Sequence, residues 1–132
     1  MSARIQTAMI IDDDEDLGEL LAVMLEARKI HVLTVHTLSE AESYLAYMKP
    51  TMIFLDNSFP EGLGINFIPH IKSSDAGIKI IMMTAEHAAW IEQKAFEQGI
   101  SCFLRKPFNQ KILDSILATI VHDDHEPVQP GH

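Results

Sequence analysis

Short apolar runs and amphipathic stripes alternate along the chain with almost no interruption. Thr7-Ala8-Met9-Ile10-Ile11 is cut off by Asp12-Asp13-Asp14, the pattern of a buried strand ending at a polar edge. Leu17, Leu20, Leu21, Met24 and Leu25 then recur at helical spacing, with Glu15 and Asp16 in the first turn where the helix dipole favours acids. Residues 30–35 form a second strand, rich in β-branched side chains. Thr37 with Glu40 and Ser39 with Glu42 both fit a capping box for a helix turning Leu38, Ala41, Leu45 and Met48 inward, and Pro50 stops it. A third apolar run, Thr51-Met52-Ile53-Phe54-Leu55, again ends in an acid, Asp56.

Pro60, Gly62 and Gly64 mark a loop, followed by a short helix through Phe67, Ile68 and Ile71. A helix begun at Gly64 would meet Pro69 in its interior. With Asn66 as N-cap, Pro69 instead falls at N3, where its missing N–H has no intrahelical partner. The spacing thus predicts a late start for this helix and a long loop over 56–66. Residues 78–83 read as a fourth strand ended by Thr84, 85–98 as a helix with Gly99 at C′, and 101–104 as a fifth strand leading into Arg105-Lys106-Pro107. Phe108, Ile112, Leu113, Ile116, Leu117, Ile120 and Val121 give the cleanest amphipathic helix.

Five strands alternating with five helices predict an α/β fold, a doubly wound (βα)5 unit with helices on both faces of a parallel sheet. Right-handed crossovers favour the strand order 2-1-3-4-5. Residues 1–121 read as one domain, and 122–132 as a polar tail with two prolines, expected to be disordered.

Composition narrows the setting. Of 132 residues 47% are apolar, enough for a core, yet no run approaches the roughly 20 residues of a membrane span. Met-Ser-Ala-Arg-Ile at the start lacks the apolar region of a secretory signal. Cys102 is the single cysteine, so no intrachain disulfide forms, and the cytoplasm is the expected compartment. A net charge of −9 without any basic run argues against direct contact with nucleic acid or an anionic membrane.

In a doubly wound sheet, ligands bind at the carboxyl ends of the strands, near the point where strand order reverses. Asp12, Asp13, Asp56, Thr84 and Lys106 all fall there. Three carboxylates in a small space are costly unless a cation sits among them, and hard oxygens with no nearby His or Cys suit Mg²⁺. A carboxylate beside such an ion can attack phosphorus and form an aspartyl phosphate. A lysine and a hydroxyl would offset charge on the transferring oxygens.

From about Thr7 to Val121 the sequence resembles the receiver domains of response regulators, in two-component signalling and of the chemotaxis-regulator kind. The resemblance rests on Ile10-Ile11-Asp12-Asp13-Asp14, on Phe54-Leu55-Asp56-Asn57-Ser58-Phe59-Pro60 with Gly64, on Ile80-Ile81-Met82-Met83-Thr84-Ala85, and on Phe103-Leu104-Arg105-Lys106-Pro107-Phe108. It implies a flavodoxin-like fold, with Asp56 as phosphoacceptor. It also implies Mg²⁺ held by Asp13 directly, by Asp12 mainly through water, and by Asp56 and the Ser58 carbonyl. Lys106 would pair with Asp56 and later with the phosphoryl group. The Thr84 hydroxyl would move onto a phosphoryl oxygen, and Phe103 would fill the space Thr84 leaves. Lacking a hydroxyl, Phe103 would choose between its two rotamers by packing alone. The family tunes dephosphorylation at the positions of Ser58 and Glu86, and small, polar Asn57 and Ser58 leave room for water.

The implied partners are a sensor histidine kinase or histidine phosphotransfer protein, and a downstream target or output domain. A homodimer through the fourth helix, fifth strand and fifth helix is also implied. The domain would catalyse its own phosphorylation and hydrolysis without being a metabolic enzyme. An alternative within signalling is the receiver half of a longer regulator. An Asp-nucleophile phosphatase would place a second aspartate two residues after the nucleophile, where this chain has Ser58. A nucleotide-binding module would need a Gly-rich loop after the first strand, and none follows it.

Other features have plainer readings. Asp14, Glu15 and Asp16 cap and solvate the first helix, and Cys102 packs as a small hydrophobe. The seven histidines show no metal-ligand spacing, and His122 and His125 lie in the expected tail. With Ala88, Ile91 and Ala95 as a buried stripe, Trp90 falls on the opposite side with Lys94 and Glu97, as expected of a partner-surface residue.

Overall fold

The computed structural model describes residues 6–85 and 88–125, with side chains through residue 120. Five strands, β1 (Thr7–Ile11), β2 (His31–Val35), β3 (Met52–Asp56), β4 (Lys79–Thr84) and β5 (Cys102–Arg105), form one parallel sheet ordered β2-β1-β3-β4-β5. Five helices connect and flank them: α1 (Glu15–Glu26), α2 (Leu38–Leu45), α3 (Ile68–Ser74), α4 (Ala89–Glu97) and α5 (Gln110–His125). This is the doubly wound order that the alternating pattern predicts.

The apolar runs are unbroken because both faces of the sheet are covered. Side chains alternate across a strand, so Met9 and Ile11 join one core with Ile53, Leu55, Ile80 and Met82, beneath α2, α3 and α4. Ala8 and Ile10 join the other with Phe54, Ile81, Met83 and Leu104, beneath α1 and α5. Leu21 and Leu25 from α1 and Leu113 from α5 are fully buried there, each worth about 2 kcal/mol of burial.

The caps follow the sequence. Asp14 is the N-cap of α1 and accepts from Leu17 N. Of the two pairs open for α2, the structure uses Thr37 with Glu40: Thr37 Oγ1 accepts from Glu40 N at 3.0 Å, while Glu40 Oε1 reaches one residue past the cap and accepts from His36 N at 3.0 Å. Gly99 follows α4 at φ 103°, the left-handed position expected for it.

Four expectations are corrected. Leu20 and Ile112 are not inward: they are 53% and 44% exposed, on the shoulders of their helices' apolar stripes. The helix expected from residue 85 begins at Ala89, because Ala88 is extended (φ −124°, ψ 119°) and cannot belong to a helix whatever its propensity. The third helix does start late, but its N-cap is Phe67 rather than Asn66. A 3₁₀ turn over Gly64–Phe67 occupies the interval, which puts Pro69 in the first turn of α3. The preceding loop holds a small antiparallel hairpin, Ser58–Phe59 against Gly62–Leu63. At the other end of the chain, α5 continues past Val121 to His125. Residues 126–132 and Glu86 lie outside the described residues.

Leu21 and Leu20 are adjacent in sequence and opposite in environment. Leu21→Ala is expected to cost about 2–5 kcal/mol of stability and Leu20→Ala less than about 1 kcal/mol, as read from urea unfolding. Similar losses for both would mean that the face of α1 has been assigned wrongly.

Candidate functional site

Parallel pairing sets the carboxyl ends of the central strands side by side. Ile11 on β1 pairs with Leu55 on β3, so the residues that follow, Asp12 and Asp56, emerge next to one another. Asp56 pairs with Met83 and Thr84 with Arg105, which brings Thr84 and Lys106 to the same edge. A cleft of about 350 Å³ opens there, lined by Asp12, Asp13, Asp56, Ser58, Thr84 and Lys106 among others. The sequence-predicted site residues therefore line the cleft, except Phe103, which packs on Phe96 and against the α2/α3/α4 core, and Glu86, which is not described.

The charges are tightly coupled. One oxygen each from Asp12, Asp13 and Asp56 lies within 4.8 Å of the others. Lys106 Nζ bridges two of these acids, at 2.8 Å from Asp56 Oδ1 and 3.1 Å from Asp12 Oδ2. Burial works against the ammonium, but the hydrogen bonds and charges of Asp56 and Asp12 outweigh it and hold the Lys106 pKa above the usual lysine value. Asp12 moves upward as well, first because it is buried and then because Asp56 repels it. The Asp14 N–H, at 2.9 Å from Asp12 Oδ1, and Lys106 only partly offset this. A nearby cation would normally lower a carboxyl; the upward direction shows that burial and the second acid prevail.

The backbone after Asp56 is shaped to keep this arrangement. Ser58 N donates to Asp56 Oδ2 at 3.2 Å, so each oxygen of Asp56 has a partner. Buried Asn57 closes the loop: its carbonyl accepts from Gly64 N and its side-chain Oδ1 accepts from Ile65 N, both at 2.9 Å. A Cβ on Gly64 would lie 2.0 Å from the Asp56 carbonyl oxygen, so glycine is required where the loop passes its own start. Asn57 lines the cleft while its Oδ1 holds the loop through Ile65 N.

Residues beyond the expected set contribute. His36 Nδ1 lies 3.1 Å from the carbonyl oxygen of Asp12. Glu61, in the hairpin turn, accepts from the N–H groups of Leu38 and Ser39 at 2.8 and 3.1 Å. Neither carries a local motif; the only clue in the chain was the Thr37–Glu40 box, which fixes where α2 begins. Phe103 is half-buried and packs edge to face on Phe96, ring centroids 5.5 Å apart. Arg105 pairs with Glu92 of α4. Trp90 is 57% exposed, on the face expected for it. Cys102 packs against the α1/α5 core. Among the described residues no helix is long and apolar enough to cross a membrane.

The likeness to known proteins agrees with this geometry. The family model for the response regulator receiver domain matches residues 8–118. The DNA-binding response regulator MtrA of Mycobacterium tuberculosis is 25% identical over 94% of this chain and 54% of its own length. The chain thus spans about half the length of such curated relatives. Among solved structures, a two-component response regulator from Clostridium difficile superposes with a TM-score of 0.86 at 25% identity, covering 92% of this chain and 99% of the other. The beryllofluoride-activated NtrC4 receiver domain dimer is 31% identical with a TM-score of 0.80, covering 88% and 97%. With a strand-end aspartate cluster bridged by lysine on this sheet, and a family match over most of its length, the chain belongs to the response regulator receiver domains of two-component signal transduction.

Proposed function

We propose that Asp56 is the phosphoryl acceptor of a phosphorelay and that its state is read at the surface formed by α4, β5 and α5. The observation that carries this reading is Lys106 Nζ at 2.8 Å from a strand-end carboxylate that shares an open cleft with two further acids.

The donor set suits Mg²⁺. Three hard carboxylates converge within 4.8 Å, and buried Asp12 is repelled by Asp56, a strain that a cation would relieve. Asp13 would bind the ion directly, Asp12 mainly through water, and Asp56 and the Ser58 carbonyl would complete the protein ligands. When bound, the ion offsets negative charge on the transferring phosphoryl oxygens.

An Asp56 oxygen attacks the phosphorus of a phosphohistidine on a sensor histidine kinase or histidine phosphotransfer protein. The new O–P bond forms as the P–N bond breaks, and the imidazole leaves with its electron pair. Hydrolysis ends the signal: water attacks phosphorus and the Asp56 carboxylate departs. The domain in this way catalyses its own phosphorylation and dephosphorylation. Lys106 passes from Asp56 to the phosphoryl group, and the Thr84 hydroxyl moves onto a phosphoryl oxygen. Phe103 fills the space so vacated, and the bonds of α4 to β5, Phe96 to Phe103 and Glu92 to Arg105, rearrange with it. The phosphorylated state is thereby favoured as a population. Exposed Trp90 and Phe96 lie on the surface that changes, which fits a downstream protein, an output domain or a second copy of the chain. The setting that fits these partners is cytoplasmic.

Incubation with acetyl phosphate and Mg²⁺ is expected to add one phosphoryl mass to the wild type and none to Asp56→Asn, by intact mass spectrometry. Equal labelling of both would refute the assignment. Lys106→Ala is expected to accept the group but to lose most of the chemical-shift change in α4 and β5 that follows beryllofluoride binding; a full change would remove Lys106 from the relay.

The crowding of acids has its own consequence. A carboxyl whose folded pKa lies above its unfolded one weakens the fold as pH rises from the unfolded value through the folded one, so above that window Asp12 disfavours folding in metal-free protein. Relieving the cluster with Asp13→Asn is expected to raise metal-free stability at neutral pH by about 0.5 kcal/mol. The same substitution should abolish most of the stabilisation that Mg²⁺ gives the wild type. Denaturant melts with Mg²⁺ and with EDTA read both effects. A variant less stable without metal would contradict the crowding, and one that responds fully to Mg²⁺ would contradict the proposed ligand role.

A further inference from the structure

The hairpin after Asp56 forms part of the cleft wall. Ser58 and Leu63 pair across it and both line the cleft, while Phe59 drops into the α2/α3/α4 core. Its base is closed by Asn57. Two residue pairs are too few for a hairpin to hold its own shape, so the position of its tip depends on what else it touches.

The tip touches α2. Glu61 accepts from Leu38 N and Ser39 N, the first two N–H groups of that helix, which no backbone carbonyl within the helix can satisfy. The helix dipole favours the negative charge there. Thr37 already serves the next donor, Glu40 N, so Glu61 is not needed to start the helix. It reaches the helix from 23 and 22 positions away, and closes a loop rather than a local turn. At the same end of α2, Glu40 holds His36 N and His36 Nδ1 meets the Asp12 carbonyl oxygen. Hydrogen bonds on the backbone of residues 36–40 therefore tie the start of α2 both to the Asp12 carbonyl and to the hairpin that carries Leu63.

We propose that Glu61 is a positioning residue: by fastening the hairpin tip to α2, it keeps Ser58 and Leu63 against the cleft and limits the rate at which water reaches the aspartyl phosphate. This rests on Asp56 being the acceptor. A hairpin freed at its tip keeps Phe59 and Asn57 as anchors, so the fold survives while the wall loosens.

The test loads wild type, Glu61→Ala and Glu61→Gln with acetyl phosphate and Mg²⁺, removes the donor, and follows decay of the phosphorylated mass. Amide exchange at Leu38 and Ser39 is followed on the same samples. The expected result is faster decay in Glu61→Ala, on the order of threefold, which is what a hydrogen-bonded charge at a helix N-terminus amounts to when expressed in one step. Glu61→Gln, which keeps one acceptor oxygen, should decay at a rate nearer the wild type, and both amides should exchange faster in Glu61→Ala. Faster amide exchange with unchanged or slower decay would make Glu61 a helix cap and nothing more, and would overturn the proposal. A wild type that takes up no phosphoryl group would overturn it together with the acceptor assignment, and is distinguished by the absence of label before any decay is measured.

Discussion

Three carboxylates confined within 4.8 Å at one edge of a sheet are the condition around which the rest of this molecule is arranged. Such proximity is unfavourable where two of the three, Asp12 and Asp56, are buried, and it persists because the surroundings over-determine it. β1 and β3 are locked in register on both faces by apolar side chains and cannot slide apart without exposing them. Lys106 supplies one positive charge, and the N–H groups of Asp14 and Ser58 supply directed donors. Three acids against one ammonium leave the balance short of neutrality.

The loops act as restraints on that edge rather than as connections. Asp14 caps α1 while its own N–H serves Asp12. Asn57 and Gly64 fold the segment after Asp56 back on itself with no space for a side chain. β5, in turn, is joined to α4 by an aromatic pair and an ion pair. Lys106, at the end of β5, thus ties the carboxylates to a strand that is itself packed on α4, the helix that carries exposed Trp90.

Much of this was legible in the chain. Acid-terminated apolar runs located Asp12 and Asp56, because a strand buried on both faces must be continuous in apolar residues and must stop where it meets water. What stayed illegible depends on approach between distant segments. Nothing local says that Glu61 finds Leu38, or that Asn57 is needed by Ile65. The start of α4 was missed since Ala85 and Ala88 favour helix by propensity, yet an extended Ala88 decides it. Leu20 and Ile112 misled for a related reason: at the shoulder of a stripe, periodicity assigns a side but not the depth to which a neighbouring element covers it.

Lys106 and Asp12 are 94 positions apart, and the lysine follows the last strand of the chain, at the edge of the sheet. During synthesis the acids exist long before their cation. A nascent chain that has β1 and β3 but not yet β5 carries the acids without the ammonium that bridges two of them. Contacts so distant in sequence form late. The bridge from Lys106 to the two acids is therefore among the last contacts the chain can make, and a chain interrupted before β5 lacks it altogether.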